Sequence, residues 1–135
     1  MASKPIEFYA PFAVLAKQSV KRTTNRRTGK PIWYTPPHIA QNANALRTWA
    51  EAHPPSEPYK GPVIVSYTFY FSTPRKKLWG TLKDTADDLE NLCKQLTDCL
   101  AKCGWFAVGD GQVAGFDNTF KYWAETDGVR VRVWQ

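Results

Sequence analysis

The most regular pattern in the chain is the run at residues 63–71, VIVSYTFYF. Its side chains alternate with a period of two, which is typical of a β-strand. Apolar or aromatic side chains occur on both faces of the run. We therefore predict a strand near the centre of a sheet rather than at its edge.

Two further strands are predicted in the first third of the chain. Ile6–Val14 is apolar and aromatic, and Pro11 breaks this strand or places it at an edge because proline cannot donate a ladder hydrogen bond. Residues 32–35, IWYT, form a short β-rich run. We expect this run to return and pair with the first strand.

The last part of the chain predicts two strands joined by a tight turn. Residues 113–124 are rich in aromatic side chains and predict a strand, with a bulge near Gly115 or Asn118. Asp127-Gly128 is a strong hairpin signal. Val129–Val133 then alternates strictly, so one face should meet the core while the other presents two arginines.

Apolar residues recur at helical spacing before Gly104, and this pattern predicts an amphipathic helix that the glycine ends. The repeating positions are Leu89, Leu92, Cys93, Leu96, Cys99, Leu100 and Cys103. All three cysteines of the chain lie on this one apolar face, without C-x-x-C spacing. We therefore expect buried free thiols rather than zinc ligands or a disulfide.

A second helix is predicted to begin at Thr35-Pro36-Pro37, with Thr35 as N-cap and Pro36 at the first helical position. The expected buried face is Ile39, Ala43, Leu46, Trp49 and Ala50. His53-Pro54-Pro55 should end this helix.

The predicted order is strand, basic loop, strand, helix, central strand, helix and hairpin. This order favours an α/β (α+β) sandwich, a mixed β-sheet with helices packed on one face. At 135 residues and 43% hydrophobic composition, the chain suits a single domain over residues 1–135. No apolar run has transmembrane length and no signal-peptide core follows Met1, so we expect a cytoplasmic protein.

Charge is distributed very unevenly. The net charge is +6, and residues 9–49 contain no Asp or Glu. A one-sided basic segment suits phosphate contacts, although a mobile solvated loop has the same composition. The candidate DNA-binding residues are Lys17, Lys21, Arg22, Arg26, Arg27 and Lys30, together with the cluster Arg75, Lys76 and Lys77.

The acidic residues are concentrated in the C-terminal part. Through Ala86 there are thirteen Lys or Arg against four Asp or Glu, whereas from Asp87 onward there are five against eight. Solubility does not require this reversal. A cluster of carboxylates in a basic protein suits a divalent cation held beside a polyanionic substrate.

The most informative spacing lies at the start of the predicted amphipathic helix, the one that ends before Gly104. On a formed helix, Asp88 and Glu90 would point about 200° apart. If Asp88 lies at the cap and Glu90 in the first turn, their carboxylates can converge, and the glycines around Asp110 allow that residue to return towards them. Two plainer interpretations remain, a Glu90–Lys94 surface ion pair and a capping box formed by Asp87 and Glu90.

These residues resemble the signature of RusA-type Holliday junction resolvases, small endodeoxyribonucleases common in prophages. The matching segments are Asp88-Leu89-Glu90-Asn91-Leu92, then Lys94, Asp98, Gly104-Trp105-Phe106 and Asp110-Gly111-Gln112-Val113. The family pattern has Asp where this chain has Glu90, and an acidic pair where it has Gly109-Asp110. The resemblance implies a RusA-like fold and a bacterial or phage-encoded enzyme of DNA recombination and repair.

The resemblance implies a role for each motif residue. Asp88, Glu90 and Asp110 would bind Mg²⁺, or Mn²⁺, and the ion would activate water for phosphodiester hydrolysis. Lys94 would stabilise charge on the phosphate. Asn91 would orient a metal ligand, and Asp98 would position Lys94 or make a structural pairing.

Paired symmetrical cuts in a four-way junction require two sites related by two-fold symmetry, so we expect a homodimer. We expect no organic cofactor. Two alternatives stay open. One is a nuclease for flaps or other branched or single-stranded nucleic acid. The other is a catalytically decayed junction-binding protein, in which an exposed aromatic residue such as Trp79 stacks on bases.

Overall fold

A five-stranded mixed sheet, a separate two-stranded hairpin and two α-helices make up the computed structural model, which describes residues 5–15, 21–34 and 36–135. The strands are β1 (Ile6–Ala10), β2 (Lys21–Thr24), β3 (Pro31–Tyr34), β4 (Val63–Ser72), β5 (Val113–Phe116), β6 (Phe120–Ala124) and β7 (Gly128–Trp134). The helices are α1 (Pro37–Ala52) and α2 (Leu89–Lys102).

β4 is the central strand, as its sequence predicts. It pairs antiparallel with β7 along one edge, and parallel with β5 and then β6 along the other. β1 extends the sheet beyond β7 with antiparallel pairing. The predicted mixed sheet is thereby confirmed.

The core lies between one face of this sheet and the two helices. Val63, Val65, Tyr67, Phe69 and Phe71 alternate along β4 and are all buried. They belong to one hydrophobic cluster with the valines of β7 and with helix residues Leu46, Ala50, Leu92, Cys93, Leu96 and Leu100. The predicted layer arrangement, helices on one face of a mixed sheet, is confirmed.

The N-terminal pairing differs from the prediction. β1 ends at Ala10 rather than Val14, directly before Pro11. The run at 31–34 pairs with β2 and not with β1, so that predicted pairing is wrong. Asn25 and Gly29 close a short turn between β2 and β3, and closing so short a loop costs less entropy than recruiting a distant strand.

The C-terminal prediction also needs correction. Residues 113–124 form two strands rather than one, and Asn118 lies between them with φ of 42°. The register of β5 against β4 shifts between Val113 and Gly115, so the irregularity predicted near Gly115 is confirmed. The Asp127-Gly128 turn does not join a hairpin, because β6 and β7 lie on opposite sides of β4. The Asp127 carboxylate accepts from the Ser72 N–H at 2.7 Å, where the connection passes the end of β4.

α1 begins one residue later than predicted. Pro36 occupies the N-cap position without a side-chain cap, and Thr35 lies outside the described residues. Ile39, Leu46 and Ala50 are buried as expected, whereas Ala43 is exposed. Trp49 is half-buried and stacks on the His53 ring, with 5.4 Å between ring centroids.

The observed α2 agrees closely with the amphipathic helix predicted before Gly104. Gly104 follows α2 with φ of 79°, the left-handed conformation that glycine adopts easily. Cys93 is buried, Cys99 and Cys103 are half-buried, and all three are free thiols. No helix in the described part of the chain is both long enough and apolar enough to span a bilayer.

Candidate active site

Asp88 forms the N-cap of α2. Its backbone is non-helical, with φ of −51° and ψ of 121°, and its Oδ1 accepts from the Glu90 N–H at 2.9 Å. Glu90 lies in the first turn, where the helix dipole favours a negative charge. Of the arrangements that the sequence left open, the structure therefore has Asp88 at the cap, and the alternative capping box with Asp87 as N-cap is wrong.

Asp87 pairs instead with a buried lysine. Lys83 is only 6% exposed, and its Nζ donates to Asp87 Oδ2 at 3.0 Å and to the backbone oxygens of Thr85 and Ala86 at 3.0 and 2.8 Å. The same ammonium lies about 5 Å from two aromatic ring centres, Phe71 and Trp123. Three oxygen acceptors and two ring faces thus compensate the burial of this charge.

A second lysine reaches the same loop from β6. Lys121 Nζ donates to the backbone oxygens of Thr85, Ala86 and Asp87 at 2.8, 2.9 and 3.0 Å. Asp87 has φ of 64°, an uncommon conformation for a residue with a side chain. Together with Lys83, Lys121 fixes the backbone directly before the Asp88 cap.

Sequence reasoning missed this pair of lysines. Lys121 was visible as a single charge in an otherwise aromatic strand, FKYWA, on the side of the strand that faces the core. A cation in such a position needs acceptors. The sequence does not reveal that the acceptors are backbone carbonyls, because every residue carries one.

A cavity of about 520 Å³ lies along the N-terminal half of α2. Its polar side chains come from α2, from the turn before β5 and from the segment between β5 and β6, and its apolar wall comes from α2 and β5. The lining residues are Leu89, Glu90, Cys93, Lys94, Thr97, Asp98, Asp110, Val113, Phe116 and Thr119.

The structure gathers some of the predicted site residues and not others. Glu90, Lys94 and Asp110 line the same cavity, and Asp98 joins them. Asp88 is not among the lining residues. Across residues 5–15, 21–34 and 36–135, no three His, Cys, Asp or Glu side chains are grouped so that they could hold a metal ion.

Lys94 is exposed at this cavity and is not engaged by an acid. The ion pairs among the described residues are Lys83–Asp87 and Arg130–Glu7, so neither Glu90 nor Asp98 pairs with Lys94. The surface pair considered from the sequence is therefore absent there, and so is a pairing of Asp98. Asn91 is likewise exposed.

Gln112 holds the turn that carries Asp110. Its Oε1 accepts from the N–H groups of Val108 and Gly109 at 2.6 and 3.2 Å. Its Nε2 donates to the backbone oxygens of Tyr59 and Gly61 at 2.8 and 2.9 Å. One side chain thus ties the turn at 108–111 to the loop before β4.

The Cys93 thiol in the wall of the cavity is uncharged at neutral pH. Burial, with a smaller contribution from Glu90, raises the pKa of Cys93 to about 11, so this thiol stays protonated. Burial also raises the pKa of Tyr67, whose hydroxyl lies 2.8 Å from Thr97 Oγ1 behind the wall. Polar groups facing such a wall interact more strongly than they would in bulk water.

The predicted DNA-binding residues fall on two surfaces. Arg22, Arg26, Arg27 and Lys30 are exposed on the β2–β3 hairpin, and Arg75, Lys76 and Lys77 are exposed just after β4. Lys17 and the side chain of Lys21 lie outside the described residues. Trp79, a candidate stacking residue in one alternative, is half-buried and its Nε1 donates to the Thr73 carbonyl at 2.8 Å.

Comparison with known proteins assigns the chain to a family. No curated protein matches the chain. The family model described as endodeoxyribonuclease RusA matches residues 11–134, which include both helices, the acidic motif and the Asp110 turn. The chain therefore belongs to the RusA family of endodeoxyribonucleases.

Proposed function

We propose that this endodeoxyribonuclease resolves four-way (Holliday) junctions by paired symmetrical cleavage, in DNA recombination and repair. One observation carries the proposal: Glu90, Lys94 and Asp110 occupy positions of the resolvase motif, with Glu90 where the family has Asp, and all three line one cavity. Membership of the RusA family supports DNA as the substrate.

We further propose that Asp88, Glu90 and Asp110 bind Mg²⁺ or Mn²⁺. Carboxylate oxygens are the donors that these hard cations prefer. Magnesium is commonly bound by one or two carboxylates together with substrate phosphates and water, so a cavity with Glu90 and Asp110 suits it without a cage of three acids. When bound, the ion would supply positive charge that activates water and neutralises the leaving oxygen.

The remaining cavity residues would act on the DNA backbone. Lys94, one helical turn beyond Glu90 and without an acidic partner in the described structure, would hold the scissile phosphate and offset its growing negative charge. Asn91 would orient a ligand beside Glu90. Asp98 would shape the field around Lys94 from the same wall.

Symmetrical cleavage also requires two active sites. A homodimer with two-fold symmetry would present one site to each of two opposed strands. The exposed basic residues of the hairpin and of the segment after β4 would contact phosphates, so binding should weaken steeply as salt is raised.

A cleavage assay tests the proposal. The purified protein is incubated with a synthetic immobile junction, a flap and a linear duplex, each with and without Mg²⁺. We expect symmetrical paired nicks in the junction only when Mg²⁺ is present. Equal cutting of the flap would replace junction resolution with a broader nuclease activity. Junction binding without cuts would indicate a decayed site.

A further inference from the structure

The β2–β3 hairpin exposes aromatic residues that do not cover the core. All four residues of β3 are exposed, with Ile32 at 42%, Trp33 at 64% and Tyr34 at 43%. The two strands form their own sheet rather than extending the five-stranded one. A two-stranded hairpin gains little stability by itself, and exposed apolar clusters commonly mark interaction surfaces.

Trp33 has a specific partner on this hairpin. Arg22 is its cross-strand neighbour in the register, so the two side chains share one face. The Arg22 guanidinium lies 6.0 Å from the centre of the Trp33 ring. A cation at this distance helps to hold the indole in place, and guanidinium N–H groups can at the same time donate to a phosphate.

The turn that joins the strands is ordered by its own hydrogen bonds. Asn25 Oδ1 accepts from the N–H groups of Arg27 and Thr28 at 2.8 and 3.3 Å. The Gly29 N–H donates to the Asn25 carbonyl at 2.7 Å. The hairpin therefore presents the exposed Arg26 and Arg27 from a defined turn.

The charge of the hairpin selects the kind of partner. Residues 21–34 contain five Lys or Arg and no Asp or Glu. A second copy of this hairpin across a two-fold axis would bring two such clusters together, and like charges repel. A polyanion with accessible flat rings satisfies both the arginines and the indole.

We propose that Trp33 stacks on an unpaired or unstacked base of branched DNA while Arg22 and the arginines of the turn contact the adjoining phosphates. Continuous duplex hides its base faces, whereas a branch point or a single strand exposes them. This inference rests on the proposed function for the identity of the substrate, and it gives the hairpin the task of recognising the branch.

Binding measured without divalent metal tests the inference, because cleavage then plays no part. Three DNAs of equal length are compared: a four-way junction carrying 2-aminopurine beside the branch, a single strand and a continuous duplex. Trp33→Ala should weaken binding to the junction and the single strand roughly tenfold and should abolish the change in 2-aminopurine fluorescence. Its affinity for duplex should change little.

Two further variants separate stacking from general apolar contact. Trp33→Phe keeps an aromatic face and should retain most of the affinity, whereas Trp33→Leu should behave like Trp33→Ala. Leu82→Ala is the matched control, because Leu82 is 62% exposed on another part of the surface. Circular dichroism and sedimentation establish that each variant keeps its fold and its oligomeric state.

Three results would overturn the inference: unchanged junction affinity of Trp33→Ala, an equal loss on duplex and junction, or a change in oligomeric state that marks the hairpin as a contact between copies. Cleavage by the wild-type protein reports separately on the proposed function. Metal-dependent paired nicks with no effect of Trp33→Ala would remove the stacking role alone. Normal stacking without cuts would remove the nuclease assignment alone.

Discussion

Lys83 and Lys121 come from different parts of the chain, yet their ammonium groups donate to the same two backbone oxygens, those of Thr85 and Ala86. The loop before the Asp88 cap is thus fixed by two cations at once. This arrangement places two like charges close together, so each lysine both stabilises the loop and repels the other.

Replacing these lysines should reveal their coupling. Lys121→Met should lower the free energy of unfolding by about 1 kcal/mol and Lys83→Met by about 2 kcal/mol, because charge-assisted hydrogen bonds are lost. Each single change also relieves repulsion between the ammonium groups. The double variant should therefore cost more than the sum of the two, measured by urea denaturation. Strict additivity would contradict this account, and Lys60→Met serves as an exposed control.

Asp88 allows capping and chemistry to be separated. Asp88→Asn keeps a side-chain oxygen for the Glu90 N–H, so stability should change little while cleavage is lost. Asp88→Ala should lose cleavage and also about 1 kcal/mol of stability. Thermal melts and junction cleavage measure the two effects, with the exposed Asp84→Asn as control.

Asp110→Asn should abolish cleavage while retaining or tightening junction binding, because removal of a negative charge eases the approach of DNA. Gel-shift titration without metal and cleavage with Mg²⁺ measure the two quantities side by side. Cleavage retained in either asparagine variant would reject the assignment of that residue as a metal ligand.

Lys94 should affect rate more than affinity. Lys94→Ala should slow cleavage roughly 10²- to 10³-fold, as expected for removal of a group that stabilises developing charge. Single-turnover cleavage gives the rate, and junction binding without metal gives the affinity. A defect confined to affinity would make Lys94 a phosphate anchor instead.

Gln112 is expected to be structurally sensitive because four hydrogen bonds of its side chain hold the turn at 108–111. Gln112→Glu has the same shape but replaces the donor to the Tyr59 and Gly61 oxygens with an acceptor. We expect a loss of about 1 to 3 kcal/mol, measured by denaturation. Gln41→Glu on the exposed face of α1 should be near neutral, and equal stability of the two variants would contradict the role given to Gln112.

Alkaline pH should destabilise the fold through the thiols of α2. Burial is the largest cause that raises the pKa of Cys99 from 9.0 to about 12, and it also raises the pKa of Cys103. The unfolded chain therefore loses these protons at lower pH than the folded one, so stability is retained below pH 9 and falls as pH rises towards 12. Denaturation midpoints under reducing conditions should fall over this range. Cys99→Ala should flatten the decline, and an unchanged slope would contradict the assignment.

Local features of the fold could be predicted from the sequence. The alternation at 63–71 predicts β4, and the apolar spacing that begins at Leu89 predicts α2. The position of Gly104 after α2 also depends on neighbouring residues. In each case the residues that form the pattern are themselves the residues that produce the structure.

Non-local pairings could not be predicted in the same way. The Asp127-Gly128 signal specifies a turn, but it does not state that β4 lies between the strands on either side. Likewise, the β-rich run at 32–35 does not identify β2 as its partner. Lys121 donates to backbone oxygens of residues 85–87, which lie far from it in the sequence. Because every residue has a backbone oxygen, the sequence does not show which ones will accept.

The position of β4 has a consequence for biosynthesis. This strand is complete at Ser72, but its three partners in the sheet begin only at Val113, Phe120 and Gly128. During translation, the apolar β4 segment of the nascent chain therefore has no strand partner on either edge until the C-terminal part has been synthesised. Truncated or stalled nascent chains should be prone to aggregation and should depend on chaperones, whereas the finished chain can close its sheet at once.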